Sequence, residues 1–270
     1  MNGVAGGIIK GEFEDIESLM VSIVFDYIVI NKYDVQLVNH DCWRNDFSVP
    51  LHHKIKNKKI MAIVGKKFPS VSIDAMSEMG DDMKINVFEE AVNKNSKVLL
   101  FWYPKDFTFV CPTELHAFQA ALPEFEERNT IVIGASCDTN EVHFAWLNTP
   151  KDNGGIEGVT YPILADTHRQ LSSILDILDQ EVNYDEEGNE SFSGSNVSFR
   201  ATYLIDETGK VFHESVNDMP LGRNVKEYLR LIDAYTHVQK HGEVCPANWE
   251  EGKEAMNANR SGVAEYLAAN

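Results

Sequence analysis

Three residues with chemical potential, Pro104, Thr108 and Cys111, lie between an apolar run and an amphipathic one. Cys111 is followed by Pro112-Thr113-Glu114 and then by Leu115, Phe118, Leu122 and Phe125, whose offsets mark one face of a helix. A proline just inside and an acid in the first turn are helix-start signals, which set Cys111 at the amino-terminal end. A thiol there faces unpaired backbone N–H groups and the positive end of the helix dipole. Both stabilise thiolate over thiol and lower the pKa. The chemistry this predicts is nucleophilic attack by sulfur. The competing reading of a lone cysteine is a packed, inert thiol. The helix-start position, Pro112 and Thr108 together weigh against it.

Such a thiol needs a rigid element to deliver it. Val98–Tyr103, inside SKVLLFWYP, is a continuous apolar run too short for a helix and reads as a strand buried on both faces. Pro123 should kink the helix after Cys111. TIVIGASC, ending at Cys137, reads as a second buried strand, Asn140–Asn148 as a helix, and Asp152–Gly155 as a loop. A short strand at Tyr161–Ala165 leads into a helix around His168–Leu178. SFRATYLID and KVFHESV flank Glu207-Thr208-Gly209, which is hairpin chemistry. Val225–Lys240 is a long amphipathic helix that Gly242 stops, and a tail runs on from Glu243. The expected fold is α/β: a mixed sheet with helices on both faces and Cys111 at a strand's carboxyl end, where open α/β sheets bind ligands.

Composition narrows the partners. The 270 residues carry a formal charge of −18, which repels phosphate backbones and anionic lipid, so neither nucleic acid nor membrane is expected. Cys42, Cys111, Cys137 and Cys245 are too widely and irregularly spaced for a small disulfide scaffold, and a reducing, cytoplasmic setting is expected. Nine histidines lack metal-ligand spacing and no C-x-x-C pair exists, which argues against a zinc site or a local exchanging dithiol. Cys137 reads as a buried structural thiol. Residues 1–60 are nearly charge-balanced at −1, whereas 61–270 carry −17. Within the first segment Ile16–Ile30 is apolar, but it follows acids rather than a basic cluster and is too short to span a bilayer, so targeting is disfavoured. Lys54, Lys56, Lys58 and Lys59 read as a solvated linker. Residues 1–60 are expected to be a poorly ordered, unassigned extension ahead of one domain, 61–270.

The pattern Pro104-x-x-x-Thr108-x-x-Cys111, continued as FTFVCPTE, resembles the active-site signature of the peroxiredoxins. It is closest to the typical two-cysteine class that includes alkyl hydroperoxide reductase C and the thiol-specific antioxidant proteins. His241-Gly242-Glu243-Val244-Cys245-Pro246 resembles that class's resolving-cysteine tail. SFRATYLID resembles the segment carrying its active-site arginine, here Arg200, and Met219-Pro220-Leu221-Gly222-Arg223 resembles the loop before its last helix. These separated motifs, in order, make the likeness specific; it covers about 61–270 and leaves 1–60 outside.

The resemblance implies a thioredoxin-like fold with a C-terminal extension, 243–270, that carries the resolving cysteine. It also implies a thiol-dependent peroxidase acting in antioxidant defence. Cys111 would attack hydrogen peroxide or an organic hydroperoxide, Arg200 would hold thiolate and peroxide, Thr108 would turn its hydroxyl to the sulfur, and Pro104 would shield it from water. Glu114 could orient its neighbours or be a routine first-turn acid. Cys245 would come from the other subunit of a homodimer, possibly within a decameric ring of dimers. A thioredoxin-like or flavin-containing reductase would reopen the bridge, and no metal or organic cofactor is implied. Gly154-Gly155-Ile156-Glu157-Gly158 and the ending Glu265-Tyr266-Leu267 resemble the loop and locking tail of peroxide-sensitive members, with Leu267 as an apolar plug. They suggest intermediate sensitivity to over-oxidation. The rival readings are a non-enzymatic ring-forming holdase or redox sensor, and a thiol hydrolase with a histidine base, for which His116 is poorly placed.

Overall fold

The computed structural model describes residues 62–185, 188–269 and two strand segments near the amino terminus. The chain divides into two units, Met1–Lys56 and Asn57–Asn270. In the first, β1 (Tyr27–Asn31) pairs antiparallel with β2 (Asp34–Val38), Tyr27 opposite Val38. Cys42, the lysine linker and most of Ile16–Ile30 lie outside the described residues, as does most of the expectation of poor order for 1–60.

The second unit opens with a hairpin, β3 (Ser72–Met76) and β4 (Asp82–Asn86), then α1 (Val87–Lys94). Next come β5 (Lys97–Trp102), α2 (Cys111–Ala120), α3 (Leu122–Glu127) and β6 (Thr130–Ser136). These are followed by α4 (Asn140–Leu147), β7 (Ile163–Ala165), α5 (Gln170–Leu175) and an exposed hairpin, β8 (Glu181–Tyr184) with β9 (Glu190–Ser193). The chain then runs through β10 (Arg200–Ile205), β11 (Val211–Asn217), α6 (Val225–His241) and α7 (Arg260–Ala269). Seven strands form one sheet in the order β11-β10-β5-β6-β7-β3-β4; β5, β6 and β7 run parallel and the rest pair antiparallel.

Every residue of β5 is buried because both faces are covered. Val98, Leu100 and Trp102 face a core closed by α1 and α5 through Val87, Ala91, Leu171 and Leu175. Leu99, Phe101 and the following Tyr103 face the opposite core, closed by α2, α3, α4 and α6 through Leu115, Phe118, Phe125, Trp146 and Ile232. The strand's period of two therefore assigns each apolar side chain to one layer.

The expected kink at Pro123 is instead a complete break. The helix ends at Ala121 (φ −92°, ψ 1°), and α3 restarts with Pro123 in its first turn. Proline has no N–H to continue the ladder and is tolerated only where first-turn donors are already unpaired. Gly242 ends α6 in the left-handed conformation (φ 68°) as expected. The tail contains a helix, α7, that its weak apolar pattern does not announce.

Candidate active site

Cys111 is the first residue of α2 and is fully buried. Val110 precedes it without a side-chain cap. In the first turn Pro112 has no N–H, while those of Thr113 and Glu114 donate to the Val110 carbonyl at 3.1 and 3.3 Å. The Cys111 N–H is thus the first-turn donor left over for a ligand. Across from the helix start, β10 opens with Arg200, 3% exposed, whose Nη1 donates to Sγ of Cys111 at 3.4 Å. The same Nη1 donates to Oε2 of Glu114 at 2.6 Å, and its Nε donates to the Met219 carbonyl at 2.6 Å.

Glu114, itself 3% exposed, lies between two guanidiniums. Its Oε1 accepts from the backbone N–H and Nε of Arg223, both at 2.9 Å, and its Oε2 accepts from Nη2 at 2.9 Å. Arg223 spends its remaining donors on the carbonyls of Trp102 (2.8 Å) and Ala201 (3.0 Å) and on the Thr202 hydroxyl (3.2 Å). Its guanidinium also lies over Phe101, 5.1 Å from the ring centre. The fork geometry suits such planar pairing, and a buried carboxylate is retained only with partners of this quality. Arg223 thereby ties the ends of β5 and β10 to α2, and Glu114 orients Arg200 on the sulfur. Glu114 is therefore more than a routine first-turn acid, and no local pattern distinguishes the two roles. Arg223 stands out in the sequence only as part of the loop before α6.

Of the remaining expected residues, Pro104 is buried at the end of β5. Thr108 departs from expectation: its hydroxyl donates to the Lys105 carbonyl at 2.8 Å and makes no hydrogen bond to Sγ. That bond closes the turn leading to Phe107, which has φ +53°, so the local backbone takes the proton. Cys245 is half-buried in the turn after α6, its thiol donating to the Ala234 carbonyl at 3.6 Å. Burial raises its pKa, Arg230 opposes that shift and Glu243 adds to it. Within the chain Cys111, Cys137 and Cys245 are all free thiols. Cys137 sits 3.9 Å from the Ser172 hydroxyl and is pushed up to about 11 by burial, consistent with a packed, unreactive thiol. His116, the considered hydrolase base, donates from Nε2 to the Gly155 carbonyl at 3.1 Å. Leu267, the expected plug, faces solvent at 69% exposure, because α7 turns Gly262 inward and its neighbours outward.

The site joins a buried sulfur, a helix start and a guanidinium fixed by a carboxylate, an arrangement suited to holding an anionic sulfur against a polar substrate. Comparison with known proteins agrees. The model of the AhpC/TSA family matches residues 64–214, and that of the C-terminal domain of 1-Cys peroxiredoxin matches 234–269. The chain is 43% identical over 210 residues to alkyl hydroperoxide reductase C of Helicobacter pylori, covering 77% of this chain and 98% of that protein. It is 38% identical over 207 residues to peroxiredoxin-1 of Gekko japonicus, covering 77% and 96%. Among solved structures, reduced 2-Cys peroxiredoxin of Plasmodium vivax superposes with a TM-score of 0.68 at 38% identity, over 77% of this chain and 99% of that one. Alkyl hydroperoxide reductase C of Enterococcus faecalis gives 0.57 at 31%, over 68% and 99%. With its thioredoxin-like α/β sheet and a thiol at the start of α2, the chain belongs to the AhpC/TSA peroxiredoxin family of thiol-dependent peroxidases.

Proposed function

We propose that Cys111 is the peroxidatic cysteine and Cys245 the resolving one, in a homodimer that reduces hydrogen peroxide and organic hydroperoxides. The observation that carries this reading is the Arg200 donor 3.4 Å from a sulfur at a helix start, with Glu114 fixing that donor. Two buried guanidiniums, Arg200 and Arg223, meet the single carboxylate of Glu114 beside the sulfur, which leaves a local surplus of positive charge. The thiolate attacks the nearer peroxide oxygen; the O–O bond breaks, an S–O bond forms, and the departing hydroxide or alkoxide takes a proton. Arg200 and the Cys111 N–H polarise that bond as charge moves to the leaving oxygen. The sulfenic acid then condenses with the Cys245 thiol of the other subunit, forming a disulfide and releasing water.

A thioredoxin-like protein or flavin-containing reductase reopens the bridge by thiol exchange. Cysteine usage suits a reducing, cytoplasmic setting, and among the described residues no helix is long and apolar enough to cross a membrane. Among the described residues no group of His, Cys, Asp and Glu is arranged to hold a metal. The test is non-reducing electrophoresis after one equivalent of hydrogen peroxide. Wild type should run as a covalent dimer and neither Cys111→Ser nor Cys245→Ser should do so. A covalent dimer that survives either substitution overturns the assignment.

A further inference from the structure

The segment between α5 and β10 carries charge of one sign only. From Gln170 to Phe199 the sequence holds seven Asp or Glu and no Lys, Arg or His. The β8–β9 hairpin stands in the middle of this stretch and is firmly built. At its base the Asp179 N–H donates to the Val197 carbonyl and the Asn196 N–H to the Asp179 carbonyl, both at 2.9 Å. Oδ2 of Asp179 accepts from the Ser195 N–H at 3.0 Å and from its hydroxyl at 2.6 Å. Arg169, from outside the stretch, donates from Nε to the Asn196 carbonyl at 2.9 Å. At the tip the Asp185 carboxylate accepts from the Asn189 N–H at 2.7 Å and from the Asn189 side-chain amide at 2.8 Å. Held at both ends, the hairpin is ordered before anything binds to it, which lowers the cost of docking.

Val182 stands opposite Phe192 and Tyr184 opposite Glu190, so Val182, Tyr184 and Phe192 gather on one face of the hairpin. They are 46%, 51% and 62% exposed. The other face is polar, with Asn183 donating to the Ser193 hydroxyl at 3.0 Å. A two-stranded hairpin is marginal by itself, and an apolar group gathered in water marks a binding surface. Among the described residues no strand pairs with the outer edge of β8, whose backbone groups offer a template to another chain. We infer that this hairpin docks an extended cationic segment of a partner protein, added beside β8 as a third strand, in which aliphatic side chains alternate with lysine or arginine. The period of two sets the fit. Incoming aliphatic side chains extend the face of Val182, Tyr184 and Phe192, while the cationic ones fall on the face of Glu181, with Asp179 and Asp185 beyond the two ends of β8. Charge selects the occupant: a second copy of this chain brings another −18 and is repelled, whereas a cationic strand is drawn in.

The experiment titrates the full chain into a fluorescein-labelled heptapeptide of alternating lysine and valine and follows anisotropy. Wild type should reach half-saturation at about 10–100 μM in low salt, the range of a small, charge-assisted contact. The double variant Val182→Ser, Phe192→Ser should bind about tenfold more weakly, the effect of removing an aromatic anchor. A heptapeptide alternating lysine with serine keeps the charge and loses the aliphatic side chains; wild type should bind it about tenfold more weakly as well. Equal binding of the two peptides, or equal binding by variant and wild type, reduces the contact to surface charge and overturns the inference. Circular dichroism verifies the fold of the variant, and should it fail to fold, the two peptides compared on wild type decide. Hydrogen exchange locates the contact. The β8 N–H groups should exchange more slowly once the lysine–valine peptide is bound, and no change there overturns the third strand. Protection of β8 that grows with protein concentration in the absence of peptide would seat a second copy on the hairpin, and that too overturns the inference.

Discussion

A carboxylate bridging two guanidiniums is the feature on which the site's electrostatics turn. Glu114 follows Cys111 by three residues, so the helix puts both on neighbouring ground at its amino-terminal end. Arg200 and Arg223 arrive from β10 and the loop before α6, 86 and 109 residues away in sequence from Glu114. This explains what was legible in the residues. Cys111 announces itself by local signals, a proline and an acid just inside a helix. Arg200 is marked only through the resemblance of its strand, and Arg223 acquires meaning through contacts that no local spacing encodes. Thr108 shows the converse, a recognisable residue whose proton the local turn takes. Cys245, proposed as the resolving thiol, supplies a pH prediction. Because burial holds Cys245 above the ordinary thiol range, its nucleophilic thiolate is scarce near neutrality. Disulfide formation in a single turnover should therefore accelerate as pH rises through about 8.5 and beyond, an ordinary thiol's range. Rapid-quench sampling of dimer against time at each pH checks this, and a rate already level between pH 6 and 8 would contradict the raised value.

At the scale of elements, α2 is stitched along one side to the segment that follows α4. His116 meets the Gly155 carbonyl, Tyr161 donates to the Leu115 carbonyl at 2.8 Å, and the Gln119 side chain accepts from the Thr160 N–H at 2.9 Å. Trp146 donates to the Gly154 carbonyl at 2.9 Å. Gly155 is where this stitching needs a glycine: a Cβ there would lie 1.8 Å from the Thr149 carbonyl oxygen. Gly155→Ala should therefore destabilise the protein by about 1–3 kcal/mol, the range for forced overpacking and backbone shifts. Denaturant unfolding measures it, and a midpoint equal to wild type would remove the close approach from the account. The strongly patterned elements, β5, β6, β10 and α6, were readable because continuous burial or a helical stripe leaves a regular trace. β3 and β4 were not, since they are short strands at one end of the sheet with exposed residues breaking any continuous apolar run. β8 and β9, exposed along their whole length, carry no core pattern at all.

In the whole molecule, the sheet order does the assembling. β10 lies beside β5, so the start of one strand and the end of the other meet where α2 begins, and Arg223 bonds to both. The net charge of −18 says nothing of this site, where two buried guanidiniums meet one carboxylate. Overall composition narrowed the classes of partner; the architecture followed from strand and helix periodicity, and the chemistry from one helix start. In the proposed reaction a fixed guanidinium from β10 drives attack by the Cys111 sulfur. The direct measurement is the stopped-flow rate constant with hydrogen peroxide for wild type and Arg200→Met, with circular dichroism to verify the fold. The account predicts a fall of about 100-fold or more, the usual cost of losing one preorganised donor to a developing negative charge. A rate within twofold of wild type in a folded variant would contradict it.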